Sequence, residues 1–243
     1  MRLLLVPGTS PDRWARVWRE RLPDDPLEVV HAPPGEAVAA VLAGTVHAAV
    51  LRLPPVGVDP PPAGLSATTP STSTGWAVVP LWTEQSVVVV RKDHVLTVVD
   101  QVDVADLAGE TLLVPGDDVL GWSPPGVEEL EVPDVATGAD LAAQGAGVLL
   151  VPHSLARLHD RRGTAVRVVP DAPGSPVVLV WRTDDEHPHA QELVGIVRGR
   201  TVASSRGSGG TGAPDPAPPT RRTPPPRRTG REPGRRQGGS RRR

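Results

Sequence analysis

The length of 243 residues allows one or two domains, and the absence of cysteine excludes disulfides, thiolate metal sites and cysteine nucleophiles. The formal net charge of −2 conceals two parts of opposite sign. Residues 201–243 hold eleven Arg against two acids, a net +9, whereas the rest of the chain holds fifteen basic and 26 acidic residues, a net −11. The sequence therefore predicts an acidic body followed by a basic tail.

Hydropathy gives no sign of a membrane segment. No apolar run approaches the roughly 18–20 residues of a membrane span. The apolar run of residues 1–7 ends at Pro7 and is too short for a signal peptide, whose apolar region has about 7–15 residues. We expect a cytoplasmic protein with no membrane partner.

The first fifty residues alternate apolar runs typical of strands with amphipathic segments typical of helices. The predicted strands are residues 3–6, 27–30 and 47–51. The first predicted helix has Ser10 as a plausible N-cap, Pro11 at its first position and an apolar stripe at helical spacing. A second helix is predicted over residues 36–43. This β-α-β-α-β order implies a parallel sheet with right-handed crossovers.

Residues 54–75 interrupt the pattern with six Pro, three Gly and a Ser/Thr repeat. Such a composition offers no apolar face to bury, so we expect a flexible surface insertion.

The stretch of residues 81–96 organises the chain. Val87, Val88, Val89 and Val90 form a run that is typical of a strand buried on both faces, as in parallel sheets covered by helices. Glu84 precedes this run, and the charged segment 91–94 follows it. A buried apolar strand with polar residues at both ends suggests that the chain crosses here from one lobe of the fold to another.

The second half continues the alternation of helices and strands. Predicted helices are residues 103–107, with an Asp cap, 137–143, a segment beginning at Pro152 or His153, and 192–200. Predicted strands are residues 111–114, 148–151, 166–169 and 177–181.

Four segments in this order carry a family resemblance. They read GEAVAAVLAGTVHAAVL (35–51), VPLWTEQSVVVVRKDHVL (79–96), VDVADLAGETLLVP (102–115) and DLAAQGAGVLLVP (140–152). Residues 1–200 thereby resemble the effector-binding domain of LysR-type transcriptional regulators, which is similar to type 2 periplasmic binding proteins. The resemblance implies an α/β fold of two lobes joined by two crossing strands. Lobe one would be residues 1–83 and 170–200, lobe two 86–165, and residues 201–243 a disordered tail.

The resemblance also implies a function: a non-catalytic domain that binds a small-molecule effector, such as a small carboxylate, and takes part in transcriptional regulation. Regulators of this type begin with a winged helix-turn-helix, whereas Met1 here lies almost on the first strand of the domain. We therefore do not carry operator binding over, and we expect a homodimer or a helix-turn-helix partner.

Particular residues match the family's effector site. In the family the anionic group of the effector meets the start of the first helix, where free N–H groups favour an anion. The matching positions are Thr9 and Ser10, although Ser10 could equally serve only as a cap. Further candidates are Thr137 and Gly138 on the facing lobe, Pro55 as a cleft wall and His94 after the central strand, each weighed against an ordinary structural role. Thr83, Glu84 and Gln85 would form the hinge.

No catalytic set, metal site or phosphate loop emerges, so the sequence predicts no enzyme and no cofactor. His187 and His189 lie beside three acids but lack metal-ligand spacing, which favours a solvated turn. The alternative function is an adaptor whose acidic body contacts proteins and whose basic tail attracts nucleic acid weakly, since the tail has no aromatic residue for stacking.

Overall fold

Strands and short helices account for most of the computed structural model, which describes residues 1–53 and 75–199. The strands in chain order are β1 (Arg2–Leu5), β2 (Glu28–His31), β3 (Ala48–Arg52), β4 (Trp76–Glu84), β5 (Ser86–Arg91), β6 (Thr111–Pro115), β7 (Glu128–Val132), β8 (Leu149–Pro152), β9 (Thr164–Val168) and β10 (Ser175–Arg182). The helices are α1 (Asp12–Arg21), α2 (Pro34–Leu42), α3 (Val135–Gln144), α4 (His153–Leu158) and α5 (Ala190–Val197), with 3-10 turns at Val95–Val98 and Val104–Leu107. The predicted insertion, except for Gly75, and the predicted tail lie outside the described residues.

The first sheet has five strands in the order β2-β1-β3-β10-β4. β1 pairs in parallel with β2 and β3, as the alternating pattern predicted. β10 returns from the far end of the domain and lies antiparallel between β3 and β4. The sheet is therefore mixed, with a parallel half built from the first fifty residues.

Helices cover both faces of this sheet. Trp18 of α1 and Leu193 of α5 join the core on one face, and Val38 and Val41 of α2 join the core on the other. Each buried side chain of this size contributes about 1.5–3 kcal/mol by leaving water. The apolar stripes seen in the sequence are thus the faces that attach the helices.

The second sheet has the order β8-β5-β9 and consists of antiparallel pairs. The predicted burial of the valine run is confirmed, since Val87 to Val90 are at most 3% exposed. The expectation that this strand belongs to a parallel sheet is wrong. Burial on both faces arises here because α3 and α4 pack on one side, while Leu107 and Leu112 pack on the other.

Two helix starts differ from the sequence prediction. Pro11 occupies the N-cap position of α1, and the hydroxyl of Ser10 donates to Asp12 Oδ2 at 2.9 Å, so Ser10 is not the cap. α3 begins two residues before Thr137, and Asp134 is its N-cap. Within residues 1–53 and 75–199, no helix is both long and apolar enough to cross a membrane.

Candidate functional site

The chain passes between the first and second sheets at two neighbouring places, and β6 and β7 pair in parallel as a third, two-stranded sheet. Thr83 and Glu84 end β4, Gln85 links them to β5, and the return runs from the end of β9 to Ser175 at the start of β10. Ser175 pairs with Glu84, and the Val169 N–H donates to the Ser86 carbonyl at 3.0 Å. The predicted hinge residues therefore lie where both crossings meet.

This meeting point is tight. A Cβ on Gly174 would lie 2.7 Å from Thr83 Cγ2 and 3.2 Å from the Glu84 carbonyl oxygen. Ser86 Oγ donates to the Pro173 carbonyl at 2.5 Å. The absence of a side chain at residue 174 thus lets the two crossings run side by side.

A buried polar network extends from Glu84. Arg52 Nε and Nη2 both donate to Glu84 Oε2 at 3.2 Å. Ser154 Oγ donates to the same oxygen at 2.8 Å, and Arg52 Nη1 donates to the Pro7 carbonyl at 2.9 Å. Because Arg52 belongs to β3 and Ser154 to α4, the network ties the first sheet to a helix packed on the second.

The electrostatics of the pair follow from its burial. The Arg52 and Glu84 side chains are 2% and 8% exposed. Burial lowers the pKa of Arg52 from its ordinary value, and the charge and hydrogen bonds of Glu84 oppose that shift. Each charge therefore depends on the other for compensation.

Beside this network lies a cavity of about 550 Å³. It is lined by Pro7, Gly8, Thr9, Ser10, His31, Ser154, Arg157 and Leu158. Its walls come from the turn after β1, from the end of β2 and from α4. The cavity is therefore a cleft between elements of the two sheets.

Two of the predicted site residues, Thr9 and Ser10, line this cleft. Thr9 is buried, and its hydroxyl donates to the Val6 carbonyl at 2.7 Å, which fixes the turn. α1 has no side-chain cap, so the N–H groups of its first turn lack a partner within the helix. The uncapped helix start offers backbone N–H groups to an anion, while the Asp12 carboxylate in the same first turn repels one.

Arg157 supplies a cation to the same cleft. It is exposed and forms no ion pair with any residue in the described part of the chain. Arg157 lies three positions after Ser154 on α4, so both side chains lie on one face of this short helix. An arginine in such a position can bind a carboxylate in a bidentate manner.

A second cavity of about 410 Å³ adjoins the first and shares Pro7, His31 and Leu158 with it. Its remaining lining residues are Ala32, Pro33, Asp117, Asp134, Val135, Ala136, Leu155 and His159. The start of α3 forms one wall, so this cavity extends the cleft towards the predicted facing position.

At that facing position the predicted residues Thr137 and Gly138 do not line either cavity. The Thr137 N–H donates to Asp134 Oδ1 at 2.7 Å. Gly138 is buried, and a Cβ there would lie 3.0 Å from Leu149 Cδ1. The residues that reach the cleft are instead those just before them.

His94 lies at the far end of β5 from Glu84. Its Nδ1 accepts from the Leu96 N–H at 3.3 Å, and its Nε2 lies 3.4 Å from Glu110 Oε2. It lines neither of the two cavities. Pro55 lies outside the described residues.

His187 and His189 contact residues of the first sheet and its flanks. The His187 ring meets that of His47 with a centroid separation of 4.7 Å, and burial lowers the pKa of His187. His189 Nε2 lies 3.3 Å from Asp25 Oδ2. Within residues 1–53 and 75–199, no three acidic or histidine side chains form a group that could hold a metal ion.

Sequence reasoning missed five residues of this region: Arg52, Asp117, Asp134, Ser154 and Arg157. Only Arg52 left a clear signal, because it is a lone charge in the apolar run Ala48–Leu53. A buried charge requires a partner, and Glu84 was the matching charge beside the next buried strand.

Comparisons with known proteins agree with this fold. The LysR substrate binding domain family matches residues 12–201. No curated protein sequence matches the chain. The oxidised form of OxyR is 21% identical with a TM-score of 0.63, over 82% of this chain and 93% of that chain.

Two further solved structures are similar. The BenM effector binding domain with its effector benzoate is 20% identical with a TM-score of 0.63, over 82% of this chain and 90% of that one. The reduced OxyR regulatory domain from Pseudomonas aeruginosa is 19% identical with a TM-score of 0.58, over 82% and 94%. These likenesses show the fold, and the family match covers most of the chain. The protein therefore belongs to the LysR substrate-binding domain family.

Proposed function

We propose that this protein is a non-catalytic receptor that binds a small carboxylate effector in the cleft between its first and second sheets. The observation that carries the proposal is Arg157, which forms no ion pair among the described residues and lines a cavity of about 550 Å³ together with Thr9 and Ser10, just before the uncapped start of α1. A carboxylate there would meet a guanidinium and free backbone N–H groups together. The similar BenM domain with its effector benzoate supports this class of ligand.

Ligand binding would act by shifting the relative position of two lobes. We propose that residues 1–83 and 170–200 form one lobe and residues 86–165 the other, with Thr83, Glu84 and Gln85 as the hinge. A carboxylate held beside Thr9 and Ser10 by backbone N–H groups on one side and by Arg157 on the other binds best when the cleft is closed. It would therefore favour the closed state in proportion to its differential affinity.

The change in lobe position on ligand binding would be transmitted to a partner protein. We propose that the domain modulates transcription through a second copy or through a chain that carries a helix-turn-helix. This step is supported by the family membership and by the fold shared with the OxyR regulatory domain.

The test is calorimetric titration of benzoate and short aliphatic carboxylates into the full chain and two variants. Arg157→Gln removes the cation but keeps the length of the side chain, and we expect it to weaken carboxylate binding about tenfold, since a hydrogen bond to a charged group contributes about 1.5–3 kcal/mol at most and this site is exposed. Arg162→Gln is the matched control, because Arg162 is also exposed and lines neither cavity.

Equal weakening in both variants would show a general charge effect and would count against the site. Failure of every carboxylate to bind the unaltered protein would refute the proposed function.

A further inference from the structure

The two adjoining cavities carry charges of opposite sign. Among the described residues, the wall of the larger one has Arg157 and no acidic side chain. The wall of the smaller one has Asp117 and Asp134 and, over the same residues, no Arg or Lys. A ligand long enough to occupy both would therefore meet a positive end and a negative end.

The start of α3 does not offer free N–H groups to an anion, unlike the start of α1. The Val135 N–H donates to Asp117 Oδ1 at 2.8 Å, and the Thr137 N–H donates to Asp134 Oδ1 at 2.7 Å. The start of α1 therefore presents free backbone N–H groups. The start of α3 presents carboxylates, which already accept hydrogen bonds from its N–H groups.

Asp117 keeps one oxygen for a further partner. Its Oδ2 accepts no hydrogen bond from the described residues, whereas the Asp134 carboxylate also interacts with the Thr137 hydroxyl and the Ala136 N–H and contributes its negative charge to the wall. His31 and His159 complete the polar part of the wall, and uncharged imidazoles can accept a hydrogen bond as well as donate one. This wall therefore suits a positively charged hydrogen-bond donor.

Between the two ends the wall is mostly apolar. Pro7, Leu158 and His31 belong to both cavities, and Leu155 and Val135 extend the apolar surface into the smaller one. Methylene or ring carbons fit such a middle section, where a polar linker would lose its hydration and would meet, among these shared residues, only the His31 imidazole.

We infer that the effector is a zwitterion, with a carboxylate bound to Arg157 and an ammonium group bound to Asp117 and Asp134, separated by an apolar spacer. This inference rests on the proposed function, since it assigns the other end of the same ligand. The class comprises ω-amino acids and aminoalkyl aromatic acids.

The test compares matched pairs of probes that differ only in the ammonium group. Hexanoate and 6-aminohexanoate, and benzoate and 4-(aminomethyl)benzoate, are titrated at pH 8, where histidine side chains carry little charge. We expect at least one amino member of a pair to bind about fivefold to tenfold more tightly than its partner, the range of two partly exposed ion pairs.

The variants isolate the carboxylates. Asp117→Asn and Asp134→Asn keep an oxygen that can accept from Val135 and Thr137, so α3 keeps its capping bonds while the wall loses its charge. We expect the double variant to reduce the advantage of the amino probe to about onefold and to leave the affinity for the plain carboxylate within about twofold. Asp118→Asn is the control, since Asp118 accepts from the Leu120 and Gly121 N–H groups but lines neither cavity.

The outcomes separate this inference from the proposed function. Plain carboxylates that bind in an Arg157-dependent manner, with no gain from any ammonium group, would overturn the zwitterion and leave the receptor standing. An ammonium gain that survives in the double variant would also overturn it. If no probe binds at all, both proposals fail.

Discussion

The two carboxylate oxygens of Glu84 accept hydrogen bonds from three side chains, so a substitution at this position leaves three donors without their acceptor. Its Oε2 accepts from Arg52 and Ser154, and Trp82 Nε1 lies 3.4 Å from its Oε1. For a residue whose only role was in the predicted hinge, Glu84→Ala would disturb closure without unfolding either lobe. The structure changes that expectation, because the substitution would leave Arg52 as a buried charge with only neutral partners.

We therefore predict that Glu84→Ala lowers the free energy of unfolding by about 3 kcal/mol, the low end of the cost of breaking a buried ion pair. Urea denaturation followed by circular dichroism measures the change. The double variant Arg52→Met with Glu84→Leu replaces both charges by apolar groups and is expected to recover most of the loss. A Glu84→Ala variant as stable as the unaltered protein would show that the pair contributes nothing net.

Gly8 lies where the turn after β1 touches α4. It has φ of +83°, and an added Cβ would lie 2.7 Å from Ser154 Oγ and 3.1 Å from Arg52 Nη2. Gly109 has nearly the same φ, +85°, but nothing lies within 4 Å of its added Cβ. The two positions share the cost of the left-handed conformation and differ in the space available.

We predict that Gly109→Ala destabilises the fold by about 1 kcal/mol, from the backbone conformation alone. Gly8→Ala should cost about 1–3 kcal/mol more, because Ser154 must move away from the turn. Paired urea melts measure the difference, and carboxylate titration of Gly8→Ala should show weaker binding in the shifted cleft. Equal destabilisation at the two positions would mean that the turn and α4 separate easily.

At the scale of elements, α3 has a start that depends on ionised carboxylates. The pKa of Asp134 is lowered from 3.8, chiefly because the Thr137 N–H donates to its carboxylate. A lowered pKa means that the folded state favours the ionised form. The resulting stabilisation is present above pH 3.8 and is lost as the pH falls below that value.

We accordingly predict that acid weakens the unaltered protein relative to Asp134→Asn. Asparagine caps the helix through a neutral oxygen and does not titrate. Urea unfolding at several pH values between 6 and 3 should show the stability difference moving in favour of the variant as the pH falls. A difference that does not change with pH would show that the charge of Asp134 does not contribute to the start of α3.

The elements that sequence patterns located best are those whose burial is uniform. The valine run of β5 and the apolar runs of β8 and β10 were placed within a few residues, because a dry strand needs a continuous apolar stretch. The direction of β5 was not predictable, since burial on two faces does not encode the orientation of the neighbouring strands. β7 was missed because Glu128, Glu129 and Glu131 give it an exposed, acidic surface.

At the scale of the whole molecule, the cleft is assembled from segments distant in sequence. Thr9 and Ser10 could be assigned because a family resemblance placed them at the start of the first helix. Arg157 could not, because nothing in its own segment shows that α4 lies against the turn after β1. Arg52 and Ser154 are 102 positions apart in sequence and form a hydrogen bond in the structure. Such a contact depends on the tertiary fold and leaves no local sequence pattern.

The position of β10 also has a consequence for the order in which the protein folds during synthesis. β10 is the last strand of the described chain, yet it lies between β3 and β4 in the first sheet. A nascent chain that has reached only β9 already contains every strand of the second sheet, which can fold as a local unit. Until β10 is synthesised, β3 and β4 of the first sheet each have an unpaired edge. Such edges can pair with strands of other chains. A ribosome pause between β9 and β10 would therefore expose the half-built first sheet to aggregation, whereas a pause after β10 would not.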